Sequence, residues 1–209
     1  MRIIDLSYDI RANMVHFKGD PVPNIKNVKV LEKDGYNVKE LYLGTHTSTH
    51  VDAPSHFIKN GKSVDELDTL AYSGYVQVLD ASSSDFIDEK IVKDVFMERV
   101  FFYTGSNRNW YRMTEFKKFS YITEGAAKAL VKKNVKLVGL DSPSVEDPEN
   151  AKFPAHKTLL GNNTLIIENL NSRKLKILIN KVVFAIALPL KIFNSDGSPA
   201  RVIAILWDD

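Results

Sequence analysis

The chain has 209 residues, 44% of them hydrophobic and 26% charged, which suits one soluble globular domain spanning residues 1–209. A formal net charge of +2 gives no ground for a nucleic acid or an anionic membrane as partner, and no apolar run approaches the roughly 20 residues of a membrane-spanning helix. There is no cysteine, which excludes disulfides, thiolate metal sites, iron–sulfur clusters and a cysteine nucleophile.

The opening MRIIDLSYDI lacks a basic head followed by a long apolar stretch, so no signal peptide is expected and the cytoplasm is the default location. Ser63 and Glu66 are spaced as a capping box, which predicts a short helix start at 63–67. Residues 74–81 and 99–104 read as strands, rich in β-branched and aromatic residues. A helix is predicted from Thr123 to Asn134. Thr123 can cap it, Ala126, Ala127, Leu130 and Val131 line one face, and Lys132 and Lys133 suit its C-terminal end. It leads into a strand at 135–141. Further strands are expected at 165–170, 182–190 and 200–207, the last two so continuously apolar that burial on both faces is expected. Strands interspersed with a few helices predict a mixed α/β fold.

The stretch Gly44–Phe57, GTHTSTHVDAPSHF, holds three of the five histidines and an aspartate. On a helix, at about 100° per residue, His46 and His50 would share a face, with Asp52 and His56 on another side. In an extended chain side chains alternate, so His46, His50, Asp52 and His56, all even-numbered, point one way until Pro54 bends the path. Thr45, Thr47, Thr49 and Val51 favour the extended form. Imidazole and carboxylate together suit a divalent metal, which lowers the pKa of bound water to roughly 7 in good zinc sites. The alternative is a polar strand edge with solvated histidines. His156 and Glu168 are further candidates. Glu168 sits in a predicted strand among Ile166, Ile167 and Leu170, where a carboxylate needs a charged partner. His156, taken alone, is more often a surface loop histidine than a ligand. Arg108, Trp110, Tyr111 and Arg112 mix bases with aromatics, as single-strand binders do, but one short cluster in a nearly neutral chain is better read as a loop near the site or a subunit contact.

The order H-x-x-x-H-x-D-x-P-x-H followed by a distant H…E pair resembles the cyclase-like metal-dependent hydrolases, a family that includes bacterial kynurenine formamidase and isatin hydrolase. The resemblance covers nearly the whole chain. Met14 through Pro21 (MVHFKGDP) is similar to the family's aromatic–Gly–Asp–Pro turn, Tyr103-Thr104-Gly105 to its T-G segment, and Val138 through Ser144 to its V-G-I-D-x-x-S block. It implies a swivelling β/β/α domain with a central mixed sheet or barrel-like core, and a homodimer or homotetramer. It implies that His46, His50 and Asp52 bind one divalent metal, zinc first or manganese. Asp52 and Glu168 would bridge to a second ion completed by His156, giving one or two ions per chain. It makes His56 the general acid/base and Phe17 part of the substrate pocket. The implied activity is hydrolysis of a non-peptide carbon–nitrogen bond by hydroxide held on the metal. Its small-molecule substrate would be an aryl formamide, as in tryptophan catabolism, or a cyclic amide. A cyclase or lyase using the same site, and a non-catalytic module with a structural metal, are the rivals. One departure stands out: the family's H-x-G-T-H has Ser48 in place of glycine. Glycine there would mark a close backbone approach or an unusual backbone angle.

Overall fold

Alternation along the strands divides the apolar residues into two cores. In Arg99–Tyr103, Phe101 and Tyr103 join one cluster while Val100 and Phe102 join the other, as a period of two requires. The structure, a computed structural model, describes residues 1–116 and 118–207. Its elements begin with β1 (Arg2–Asp5), β2 (Asn24–Lys29), α1 (Leu31–Asp34), β3 (Val38–Tyr42), β4 (His50–Asp52) and β5 (Ser73–Asp80). Then come β6 (Phe86–Ile87), α2 (Glu89–Val92), β7 (Arg99–Tyr103), β8 (Tyr121–Ile122), α3 (Glu124–Lys132) and β9 (Leu137–Leu140). The chain continues through α4 (Pro154–Leu160), β10 (Leu165–Glu168), α5 (Ser172–Leu175), β11 (Val182–Pro189) and β12 (Gly197–Leu206).

The main sheet runs β1-β12-β11-β5-β7-β9-β10-β4, and β4 also pairs with β12. Seven strands therefore close into a barrel, with β1 attached beside it. The ten-residue β12 makes closure possible. One of its edges pairs with β4 at Gly197–Pro199 and with β1 at Ile203–Leu206, while the other pairs with β11. The pairs β5–β7, β7–β9 and β9–β10 are parallel, and the other ring pairs are antiparallel. Parallel neighbours need crossovers, and α2, α3 and α4 lie in those segments, packed on the outer faces of β7, β9 and β10. The inner cluster draws on all of the ring strands. The mixed α/β class and the barrel-like core are as the sequence predicts.

Most expected elements are present. Thr123 Oγ1 accepts from the Ala126 N–H at 3.1 Å and starts α3, and Glu66 accepts from the Ser63 N–H at 2.9 Å to open a single 3₁₀ turn. Two expectations need correction. The final strand begins at Gly197 rather than residue 200. The last two strands are not buried on both faces but alternate between buried and more exposed positions. On their outer side Tyr75, Phe184 and Trp207 pack together and account for the added apolar character. Among the described residues, no helix is long and apolar enough to cross a membrane.

Candidate metal centre

β4 and β10 are antiparallel neighbours, with His50 opposite Glu168 and Asp52 opposite Ile166. Val51 and Ile167 point into the barrel, so His50, Asp52 and Glu168 emerge together on its outer face. α4 adds His156 to that face, and all four side chains are buried. The result is a closed alternation of imidazole and carboxylate. His50 Nε2 lies 3.2 Å from Asp52 Oδ1 and 3.4 Å from Glu168 Oε2. His156 Nε2 lies 3.3 Å from Glu168 Oε1 and 3.6 Å from Asp52 Oδ2. Each ring is oriented from its other nitrogen: His50 Nδ1 faces the Ser48 carbonyl at 2.8 Å and His156 Nδ1 faces Glu146 Oε2 at 3.1 Å.

His46 and His56 stand beside this group. His46 Nδ1 lies 2.9 Å from Asp52 Oδ1, and its Nε2 lies 2.9 Å from Asp196 Oδ2. The same Asp196 oxygen is 3.2 Å from His56 Nδ1, and the two rings lie with centroids 4.0 Å apart. A Cβ on Gly197 would come within 2.6 Å of His46 Cε1 and 2.9 Å of the Val51 carbonyl, so only glycine lets β12 pass here.

The predicted residues thus converge, though not by the shared parity the sequence suggests. Only His50 and Asp52 lie on a strand; His46 is in the turn before it and His56 in the 3₁₀ turn Pro54–His56 after it. Ser48, with φ at +62°, makes that first turn possible. The left-handed angle is the reason glycine is expected there, and serine adopts it while its hydroxyl donates to the Tyr8 carbonyl at 3.2 Å. His156 is buried on a helix instead of exposed on a loop. Phe17 packs against Phe116, with centroids 4.8 Å apart, and lines a narrow cleft with Trp110, Ser48 and His46. Trp110 stacks on Tyr8 at 4.7 Å, so the loop of bases and aromatics packs beside the site.

Sequence reasoning misses Glu146 and Asp196. Glu146 is buried and accepts from the N–H groups of Ala155 and His156 at 3.2 and 3.1 Å, fixing the start of α4. Asp196 lies in an Asn-Ser-Asp-Gly segment that looks like an ordinary turn. Asp196 meets His46 and His56 across 150 and 140 residues, and Glu146 meets His156 across ten, at no regular helix or strand spacing.

The electrostatics follow from six ionisable groups in contact, four of them buried. Burial opposes a charged His46, but hydrogen bonds to Asp196 and Asp52 outweigh it and lift the ring to about 9. Burial opposes a charged His50 as well, and Asp52 and Glu168 lift it to about 10. His156 is raised in the same way against burial by Asp52, Glu146 and Glu168. Burial pushes Asp52 and Glu168 up, yet the imidazoles hold both below the usual carboxylate range. Asp196 is pulled down by its hydrogen bonds to His46 and His56.

A metal fits this donor set. His50 Nε2 and Asp52 Oδ2 are buried without a hydrogen-bond partner, a costly state that a divalent ion between them would relieve. Within two triplets, His50–Asp52–Glu168 and His46–Asp52–His56, one ligand atom from each residue lies within 4.8 Å of the others. Nitrogen and carboxylate oxygen suit zinc or manganese.

The fold and site define a barrel protein with a buried histidine–carboxylate cluster competent for a divalent metal. Residues 4–147 match the family described as "Putative cyclase". The chain is 35% identical over 209 residues to an uncharacterised protein of Methanocaldococcus jannaschii, covering 99% of this chain and 100% of that one. It is 32% identical over 204 residues to a kynurenine formamidase of Bacillus cytotoxicus, covering 96% and 95%. Its structure superposes on isatin hydrolase A of Labrenzia aggregata with a TM-score of 0.88 at 25% identity, over 99% and 94% of the two chains. The chain belongs to this cyclase family.

Proposed function

We propose that this protein is a metal-dependent hydrolase of a non-peptide carbon–nitrogen bond, acting on an aryl formamide such as N-formylkynurenine or on a cyclic amide such as isatin. The observation that carries it is the ring of His50, Asp52, His156 and Glu168 with two orphaned atoms facing inward. The kynurenine formamidase and isatin hydrolase relatives support the bond type.

His50, Asp52, His156 and Glu168 would hold one ion, and Asp52 with His46 would offer a second position. Such an ion, zinc or manganese, would supply a Lewis acid and lower the pKa of water toward neutrality. The protein's own groups do the rest. His56, at the rim of the cluster, takes a proton as the oxygen of water bonds to the carbonyl carbon. It then returns that proton to the nitrogen as the C–N bond breaks, releasing an amine and a carboxylate. Positioned proton transfer of this kind is typically worth 10²–10⁴-fold. Phe17, Trp110 and Phe116 line an aromatic cleft beside His46, closed to a volume of about 10 Å³, which has to widen before it admits an aryl substrate.

The test is turnover of N-formylkynurenine and isatin by zinc- or manganese-loaded protein, with chelated protein as control and product analysis in ¹⁸O water. Solvent oxygen in the new carboxylate supports hydrolysis. Product without it indicates a cyclase or lyase, and no turnover of either amide contradicts the proposal.

A further inference from the structure

We propose that Asp196 is the positioning residue for His56, fixing the ring's tautomer and orientation so that Nε2 is the atom that exchanges the proton. This rests on the role of His56 in the proposed function. The contact is direct: Asp196 Oδ2 is 3.2 Å from His56 Nδ1. A carboxylate can only accept, so Nδ1 carries the hydrogen and Nε2 is left to take and give the proton.

The backbone around this pair holds both residues in place. The Ala53 N–H donates to the Asp196 carbonyl at 2.9 Å, and the His56 N–H donates to the Ala53 carbonyl at 3.0 Å. Two residues far apart in sequence are therefore fastened to one residue of the β4 exit. On the C-terminal side, Gly197 enters β12 directly opposite Asp52. On the N-terminal side, the Ser195 carbonyl accepts from the Val64 N–H at 2.9 Å. Asp196 is thus held between two anchored neighbours, although its side chain is 40% exposed. The same Oδ2 also meets His46 Nε2 at 2.9 Å, so the rival account is that Asp196 acts only by holding His46 for the metal.

The experiment compares wild type, Asp196→Asn and Asp196→Ala, each zinc-loaded and checked for folding by circular dichroism. Three quantities are measured: zinc per chain, kcat and KM on N-formylkynurenine, and the tautomer of His56 by ¹⁵N histidine NMR at mildly alkaline pH, assigned with His56→Gln. The proposal expects His56 in the Nδ1–H form in wild type and a mixed or Nε2–H form in Asp196→Ala. It expects retained zinc, kcat lower by about 10²-fold or more, and KM changed by less than about threefold. Asp196→Asn keeps the shape and should retain zinc with an intermediate kcat. An Nε2–H ring in wild type, an unchanged tautomer in Asp196→Ala, or loss of zinc in parallel with activity would each overturn it. Wild type that turns over neither formamide nor isatin would defeat the proposed function, while the tautomer would still decide whether Asp196 orients His56.

Discussion

Glu168 and His50 face one another across the β10–β4 pair, and their side chains meet on the outside of the barrel with Oε2 3.4 Å from Nε2. Strand register alone brings together two residues far apart in sequence. Glu168→Gln keeps the shape and removes the charge. Its zinc affinity should fall by more than the roughly 10–100-fold that losing an outer partner costs. Competition with a chromophoric chelator measures this, and unchanged affinity would exclude Glu168 as a ligand.

Glu146 touches His156 Nδ1 and the first N–H groups of α4. Such partners orient a ligand without binding the metal, and their loss typically costs 10–100-fold in affinity. Glu146→Gln should weaken zinc within about that range while the protein stays folded. An affinity equal to wild type would leave Glu146 as a helix cap alone.

Ser48 holds a left-handed backbone angle and donates a hydrogen bond to Tyr8. Ser48→Ala loses the bond, worth about 1 kcal/mol, and keeps a strain of roughly 1–2 kcal/mol. Ser48→Gly loses the same bond but relieves the strain, at some cost in unfolded-chain entropy. Glycine should therefore be the less damaging of the two in denaturant unfolding. Alanine as stable as glycine would mean that the angle costs nothing here.

The metal-free cluster carries a definite pH signature. His46 and His50 are raised to about 9 and about 10 from an ordinary 6.5. Their stabilisation is fully present below about 6.5 and is lost as pH rises through about 9 to 10. Asp52 and Glu168 are lowered, so their contribution is present above the ordinary carboxylate range and is lost as pH falls through their folded values. Chelated protein should lose thermal stability on going from pH about 7 to about 10. Zinc added near neutrality should release protons, because bound imidazoles must be neutral. A flat alkaline limb together with no proton release would contradict the charge assignment.

The sequence makes much of this legible. The period of apolar residues announces β5, β7, β9, β10, β11 and α3, and the dense motif from His46 to His56 announces the cluster. Its arrangement is less visible. Parity places only His50 and Asp52 correctly, because the turn at Ser48 and the 3₁₀ turn after Pro54 re-aim the other two. β4 is three residues long, too short for periodicity to reveal. Glu146 and Asp196 reach the site through barrel closure and helix docking, which no local pattern encodes.

His50, Asp52, His156 and Glu168 would together surround one divalent ion. Metal per chain, measured by plasma mass spectrometry after reconstitution with zinc or manganese and removal of loose ion, tests it most directly. At least one retained ion per chain is expected, lost in Asp52→Asn, with a second if the position between His46 and Asp52 also fills. No retained ion with either metal would contradict it and leave the two orphaned buried atoms unexplained.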